Sequence, residues 1–187
     1  MIIVFLGPPY AGKGTHSAFL GQKLNIPVFS MGALIRQAHD KGDEVIKDAY
    51  ERYALKGLNV PTHIKFDLLK KAMIQAGDNF ILDNFPATED DLKVLSDFLK
   101  ERNLSIDKVL HMKTSEEEMI KRLKNISRGR ADDDPEIVRA RREIQDKERK
   151  PVIEYFKNQG ILTEVNSEGS IEEVNRKIEE AMNDSHK

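Results

Sequence analysis

Nine residues near the start of the chain, Gly7-Pro8-Pro9-Tyr10-Ala11-Gly12-Lys13-Gly14-Thr15, have the types and spacing to hold a chain of phosphates. They fit the pattern G-x-x-x-x-G-K, with the hydroxyl residue displaced one place by an additional glycine. Phosphate oxygens need converging backbone N–H donors. Glycine lets a loop close around an anion because it tolerates unusual dihedrals and carries no Cβ. The backbone of Gly7, Tyr10, Ala11, Gly12 and Gly14 would form the cradle, and the helix that follows would aim its positive end at the same anion. Lys13 would neutralise the β- and γ-phosphates, and Thr15 would offer a hydroxyl to Mg²⁺. The plain alternative is a Gly/Pro turn with an exposed lysine. Context argues for a nucleotide site instead: the apolar run Ile2 to Leu6 precedes the loop, and an amphipathic segment with Ala18, Phe19 and Leu24 follows it.

A second chemical element is Phe80-Ile81-Leu82-Asp83, an apolar strand ending in a carboxylate. An acid so placed beside a phosphate loop holds Mg²⁺ directly or through water, although it would equally cap the next turn. Further on, Arg128-Gly129-Arg130-Ala131-Asp132-Asp133-Asp134-Pro135 leads into a segment with Arg139, Arg141 and Arg142. Asp134 before Pro135 reads as an N-cap with proline at the first helical position, and the arginines as a solvated face. The alternative is functional, because forked guanidiniums stabilise charge developing on a transferred phosphoryl group. Arg139 and Arg142 share a helical face, whereas Arg141 lies about 200° from Arg139, so all three cannot serve one site. Composition does not choose among them.

The elements that must position these groups alternate along the chain. Strands are expected at Ile2 to Leu6, Val28 to Phe29, Phe80 to Leu82, Val109 to Met112 and Leu162 to Val165. The first and third are apolar throughout, as in strands buried on both faces. Helices are expected after Thr88, Ser115 and Ser170, each a capping residue followed by acids where the helix dipole favours them. From Ser30 to Gly77 there is no good strand, only helical patterns broken near Gly42 and at Gly57 to Pro61. That interval reads as a helical subdomain beside a parallel α/β sheet. Lys147, Arg149 and Lys150, near Glu148, read as an exposed helix face, His111 as packed within a strand, and Asn183 to Lys187 as a frayed tail.

The chain of 187 residues supports one domain. Its 30 basic and 32 acidic side chains, net charge −2, argue against coating nucleic acid or an anionic membrane. Cysteine is absent, which excludes disulfides, thiol catalysis and cysteine metal sites. The five histidines show no ligand spacing, and no N-K-x-D sequence supports a GTPase. The opening apolar run is too short for a signal peptide or membrane span, so a cytoplasmic, soluble protein is expected.

Taken together, GPPYAGKGT, Ser30-Met31-Gly32 with Arg36, Gly57-Leu58-Asn59-Val60-Pro61, FILDNFP at Phe80 to Pro86, RGRADD at Arg128 to Asp133, and Pro151 resemble the adenylate kinase family of nucleoside monophosphate kinases. The resemblance runs from Met1 to about Ile178. It implies a P-loop three-layer α/β fold with a five-stranded parallel sheet, a helical monophosphate-binding subdomain over 30–77 and a short lid over 128–136. It implies reversible transfer of the γ-phosphoryl of Mg·ATP to a nucleoside monophosphate, AMP being favoured, by a monomer. The catalytic group would be Lys13, Arg36, Asp83, Arg130 and Arg141. Arg36 would grip the acceptor phosphate, while Arg130 and Arg141 clamp the phosphates. Arg128 would touch ATP, joined near the adenine by Arg122 or Lys124, with the carbonyl of Gly169 at the adenine edge. Met31, Gly32, Leu58, Asn59, Val60, Asn84 and Asp91 would complete the monophosphate site. Thr15 and Asp83 would hold Mg²⁺.

The chain departs from the family pattern where Met31 stands for threonine, Ala33 for an acid, Ala87 for arginine, Asp91 for glutamine, and Tyr10 and Asn84 for glycine. The ATP half is intact and the acceptor half is altered. Removing a charge partner from a desolvated phosphate site ordinarily costs about 2–5 kcal/mol. Three readings follow: an AMP kinase with the acceptor phosphate held by Arg36 and other arginines, a kinase for another monophosphate, or an ATP-binding regulatory protein with weakened catalysis.

Overall fold

Five strands form one parallel sheet in a computed structural model that describes residues 1–125 and 134–183. They are β1 (Ile2–Leu6), β2 (Val28–Ser30), β3 (Phe80–Asp83), β4 (Lys108–Lys113) and β5 (Leu162–Asn166), and their spatial order is β2-β3-β1-β4-β5. The helices are α1 (Lys13–Leu24), α2 (Met31–Asp40), α3 (Glu44–Arg52), α4 (Thr62–Ala76), α5 (Glu89–Glu101), α6 (Glu116–Asn125), α7 (Pro135–Asn158) and α8 (Ile171–Asn183). The α/β class and the five-stranded parallel sheet expected from the sequence are what the chain forms.

Every residue of β1 is buried because successive side chains serve different layers. Ile2, Val4 and Leu6, with Phe80 and Leu82, pack beneath Leu69 of α4, Leu95 and Phe98 of α5, and Val152 and Phe156 of α7. Ile3, Phe5 and Ile81 face the other way, onto Leu20 of α1 and Val174 and Ile178 of α8. Burying each such side chain is worth about 1.5–3 kcal/mol. The sheet is thus clamped from both sides, which fixes its carboxyl edge. Register carries that precision to the chemistry, since Asp83 pairs with Phe5 on one side and with Ser30 on the other.

The helix starts follow the capping residues. Thr88 Oγ1 accepts from Asp91 N at 3.2 Å, and Ser115 Oγ from Glu118 N at 3.1 Å. Ser170 and Glu173 form a reciprocal box, Ser170 N donating to Glu173 Oε2 at 2.8 Å and Glu173 N to Ser170 Oγ at 3.2 Å. Asp134 caps α7 by accepting from Glu136 N at 2.9 Å. Between β2 and β3 lie α2, α3, a 3-10 turn at Ala54–Lys56 and α4, with no strand among these residues. Met31, Ile35, Ile46 and Tyr50 of this excursion join the core under the sheet.

The exposed face expected at Lys147, Arg149 and Lys150 is exposed at the two lysines alone. Arg149 is 1% exposed and not part of a solvated face. It precedes Val152 and Phe156 by three and seven residues, so helical periodicity puts it on the buried stripe of α7. Its Nη1 donates to Asp146 Oδ1 at 2.6 Å, and burial lowers its pKa against the pull of that carboxylate. His111 of β4 is packed, as expected, on a site where Arg149 also acts on it.

Burial, reinforced by Lys113 and Arg149, pushes the His111 pKa down to about 4, against the opposing effect of Glu164. The unfolded chain therefore binds the proton more readily than the folded one. Stability associated with neutral His111 is complete above about pH 6.5 and is lost as pH falls toward 4. That shift corresponds to at most about 3 kcal/mol. Denaturant titrations of wild type and His111→Gln between pH 7 and 4 should show a shallower acid loss in the variant; parallel curves would contradict the assignment.

Candidate active site

The loop between β1 and α1 begins with Gly7 at φ 148° and ends with Gly12 at φ 78°, immediately before Lys13 opens the helix. A Cβ on Gly12 would lie 2.9 Å from Cδ2 of His16 beneath it, so both the dihedral and the space require glycine. His16 is buried, and its Nδ1 lies 2.7 Å from Asn175 Oδ1. Burial holds its pKa below the ordinary value, Asn175 opposing and Arg122 assisting. A neutral ring therefore supports the loop without adding charge to it.

Lys13 Nζ donates to the carbonyls of Gly7 at 2.8 Å and Pro8 at 2.9 Å, which curls the side chain over the loop it would serve. The loop is braced from outside by Arg122. Its Nη1 donates to Tyr10 O at 3.0 Å, Nη2 to Ser167 O at 2.6 Å and Nε to Glu118 Oε1 at 2.9 Å. The hydrogen bond from Arg122 is the leading reason that the Glu118 pKa lies below the usual carboxylate range. Between the two basic candidates on α6, Arg122 reaches the loop and Lys124 is exposed.

Tyr10 and Asn84, where the resemblance implies glycine, have φ of 59° and 64°. The left-handed backbone is thus kept without the residue that adopts it most readily. Asparagine tolerates it. For tyrosine the ring packs with Met119, Leu123 and Val138 between α6 and α7, which offsets the strain.

A cleft of about 450 Å³ opens at the carboxyl edge of the sheet. The phosphate loop from Tyr10 to Thr15 forms one wall. Asp83 enters from the end of β3, its Oδ2 3.6 Å from where a Cβ on Gly14 would stand. The Thr15 hydroxyl and the Asp83 carboxylate are hard oxygen donors on one cleft, a set that suits Mg²⁺ held partly by water and phosphate. Among the described residues no group of three or more His, Cys, Asp or Glu could hold a metal ion by itself.

The opposite wall comes from the helical excursion and α7. Met31, Gly32, Arg36, Leu58, Asn59 and Val60 line it, together with Asn84 and Arg141. Arg36 folds across Gly32, its Nη1 3.1 Å from the position of a Cβ there. Arg141 Nη2 donates to Ala54 O at 3.2 Å. At Gly57, φ 74°, a Cβ would lie 3.1 Å from the Arg141 N and Cα, so glycine lets α7 approach and present Arg141. Asn59 Nδ2 donates to Glu148 Oε2, a second tie between the excursion and α7.

Of Arg139, Arg141 and Arg142, only Arg141 lines the cleft. Arg139 is exposed beside Glu116 at 3.5 Å, and Arg142 Nη2 donates to Thr114 O at 2.8 Å. Arg128, Arg130 and the lid up to residue 133 lie outside the described residues. Gly169, φ 115°, sits in the β5–α8 connection near the Ser167 carbonyl that anchors Arg122, outside the cleft lining. Asp91 stands behind the wall, fully buried, and accepts from Thr62 Oγ1 at 2.7 Å, Lys65 Nζ at 2.5 Å and Ala87 N at 3.0 Å. Ala87 is also buried, at 2% exposure.

Sequence reasoning missed Ile35, Tyr50, Lys65 and Gln145 on the cleft wall. Gln145 had a signal, one turn beyond Arg141 on the same face. Lys65 had none, because its partner Asp91 is 26 residues away.

The model of the adenylate kinase family matches residues 5–161. Adenylate kinase of Leptospira biflexa is 35% identical over 180 residues, covering 94% of this chain and 96% of that protein. Those of Corynebacterium urealyticum and Mycolicibacterium smegmatis are 37% and 39% identical over 176 residues, 93% of this chain and 94% of each relative.

Arg122→Met removes the brace on the Tyr10 and Ser167 carbonyls, where charged hydrogen bonds are each worth about 1.5–3 kcal/mol. Calorimetric titration with an ATP analogue should show affinity falling by about tenfold or more. Unchanged affinity would mean the loop keeps its shape without Arg122.

Proposed function

The chain belongs to the adenylate kinase family and is a nucleoside monophosphate kinase, and on that premise we propose that it transfers the γ-phosphoryl group of Mg·ATP reversibly to AMP. The observation that carries the reading is that one cleft joins Lys13, Thr15 and Asp83 on one wall to Arg36 and Arg141 on the other. A transferred phosphoryl group must be held between donor and acceptor, and catalysis is then positioning plus electrostatics.

The loop amides from Gly7 to Gly14 and the Lys13 ammonium hold the donor phosphates. Arg128, Arg122 and the carbonyl of Gly169 serve the ATP adenine side. Thr15 and Asp83 hold Mg²⁺, which when bound neutralises charge on the donor phosphates. Arg36 grips the acceptor phosphate, and the wall of Met31, Gly32, Leu58, Asn59, Val60 and Asn84 receives the rest of the monophosphate, with Asp91 behind it. Arg141 and Arg130 stabilise the charge that spreads over the group in flight. An acceptor phosphate oxygen forms the new bond to the γ-phosphorus, the bond to the β–γ bridging oxygen breaks, and two ADP result. The acceptor oxygen is already anionic, so no strong base is needed.

The helical subdomain of 30–77 and the short lid of 128–136 close over the bound pair and exclude water, which suppresses hydrolysis of ATP. The protein is on this reading a cytoplasmic monomer acting on small molecules; its net charge is −2, and no described helix is long and apolar enough to cross a membrane.

A coupled assay of Mg·ATP with AMP, CMP, UMP, GMP and dAMP should yield ADP with AMP; background rates with every acceptor would overturn the reading. Arg36→Ala should raise the acceptor KM by about thirtyfold or more, equivalent to about 2 kcal/mol, and leave ATP affinity within about twofold. Equal damage to both substrates would refute this division of the cleft.

A further inference from the structure

The acceptor end of the cleft contains a cation that the reading above does not use. Lys65, in the first turn of α4, is 3% exposed and lines the cleft. Its Nζ has one hydrogen-bond acceptor among the described residues, Asp91 Oδ2 at 2.5 Å. Asp91 is fully buried, and Thr62 Oγ1 and Ala87 N donate to it as well. The carboxylate is thus occupied behind the wall, while Lys65 lines the cleft with its Nζ on that carboxylate and 5.8 Å from the centroid of the Phe85 ring.

The surroundings indicate which part of a ligand that ammonium meets. Met31, Ile35, Tyr50 and Val60 make this part of the cleft apolar, a surface for a flat base and not for a phosphate. Arg36 and Arg141 already supply cationic charge for phosphate. Asp91 and the Phe85 ring account for where the ammonium is held, but a buried ion pair is seldom more stabilising than apolar residues of the same volume, so stability alone does not call for an ammonium in this wall.

An ammonium carries three donors and no acceptor. One donor goes to Asp91, which leaves the others for the base. A side-chain amide in such a place accepts from an amino group while donating to a ring nitrogen, and so selects a 6-aminopurine. An ammonium cannot accept from an amino group, but it donates well to a carbonyl or a ring nitrogen.

We propose that Lys65 reads the acceptor base by donating to a hydrogen-bond acceptor on its edge, so that the site admits 6-oxopurine monophosphates alongside AMP. The inference rests on the monophosphate being bound in this cleft. A site that pairs a substrate group rejects analogues lacking it by about 10⁴–10⁵-fold; an ammonium offers no acceptor with which to reject an oxo base in that way.

The test is calorimetric titration of the full chain with AMP and with IMP, which differ at the 6-position, in the absence of ATP so that turnover plays no part. Wild type should bind IMP more tightly than AMP or no more than about thirtyfold more weakly, a gap of about 2 kcal/mol. In Lys65→Met the affinity for IMP relative to AMP should fall by about threefold or more. The double variant Lys65→Met/Asp91→Leu, which leaves no unpaired carboxylate and adds no amide, should show the same fall if the single variant does not fold. IMP binding weaker than that limit in wild type, a relative affinity unmoved by the substitutions, or no binding of either monophosphate would each overturn the proposal. Binding in the expected ratio without ADP formation from Mg·ATP would refute the kinase reading and leave the role of Lys65 standing.

Discussion

The left-handed turn of the backbone at Tyr10 and Gly12, where β1 gives way to α1, is the constraint on which the rest of the molecule depends. An anion held there would be stabilised by the loop amides, the helix dipole and one ammonium together. That geometry needs left-handed backbone at Gly12 and Tyr10, and neither dihedral is maintained by the loop alone. His16 fills the space beneath Gly12, Arg122 holds the Tyr10 carbonyl from outside, and the Tyr10 ring is locked between α6 and α7. Strain of about 1–3 kcal/mol at a tyrosine with positive φ is thereby spread over three helices. Both faces of β1 are buried, so the loop starts from a fixed point.

The second half of the cleft is built on a different principle. The loop wall uses main-chain donors that any sequence supplies, whereas the opposite wall uses side chains carried by helices that must come together. Gly57 permits the backbone of α7 to approach, and Arg141 then bonds to Ala54 in the adjoining turn. Asn59, beyond that turn, and Glu148, two helical turns after Arg141, tie the excursion to α7 a second time. Residues that hold the walls together are therefore next to residues that line the cleft, and Lys65 lines it while pairing with Asp91 behind the wall.

The loop, Asp83 and all five strands were legible in the sequence because each is a local pattern. A glycine spacing, an apolar run ending in an acid and a capping residue before an amphipathic segment need no knowledge of distant contacts. The exclusive placement of Arg141 was half legible: helical periodicity separates it from Arg139 and Arg142 but does not say which face meets the cleft. Arg149 was misread because charge type suggested solvent while its spacing from Val152 and Phe156 put it in the core. Lys65 was invisible for the opposite reason. Its meaning comes from Asp91 on another helix, and only the packing of α4 against α5 brings the two together. The departures at Ala87 and Asp91 read as a weakened acceptor site in isolation; in the fold they are two corners of a closed network with Thr62 and Lys65.

The most direct test of the central claim follows the backbone amides of Gly12, Lys13 and Gly14 by nuclear magnetic resonance while a non-hydrolysable Mg·ATP analogue is added. The account predicts that these amides shift in concert, saturate with one binding constant, and stop responding in Lys13→Met at the same analogue concentrations. Saturable binding that moves amides elsewhere and leaves these three in place would contradict it.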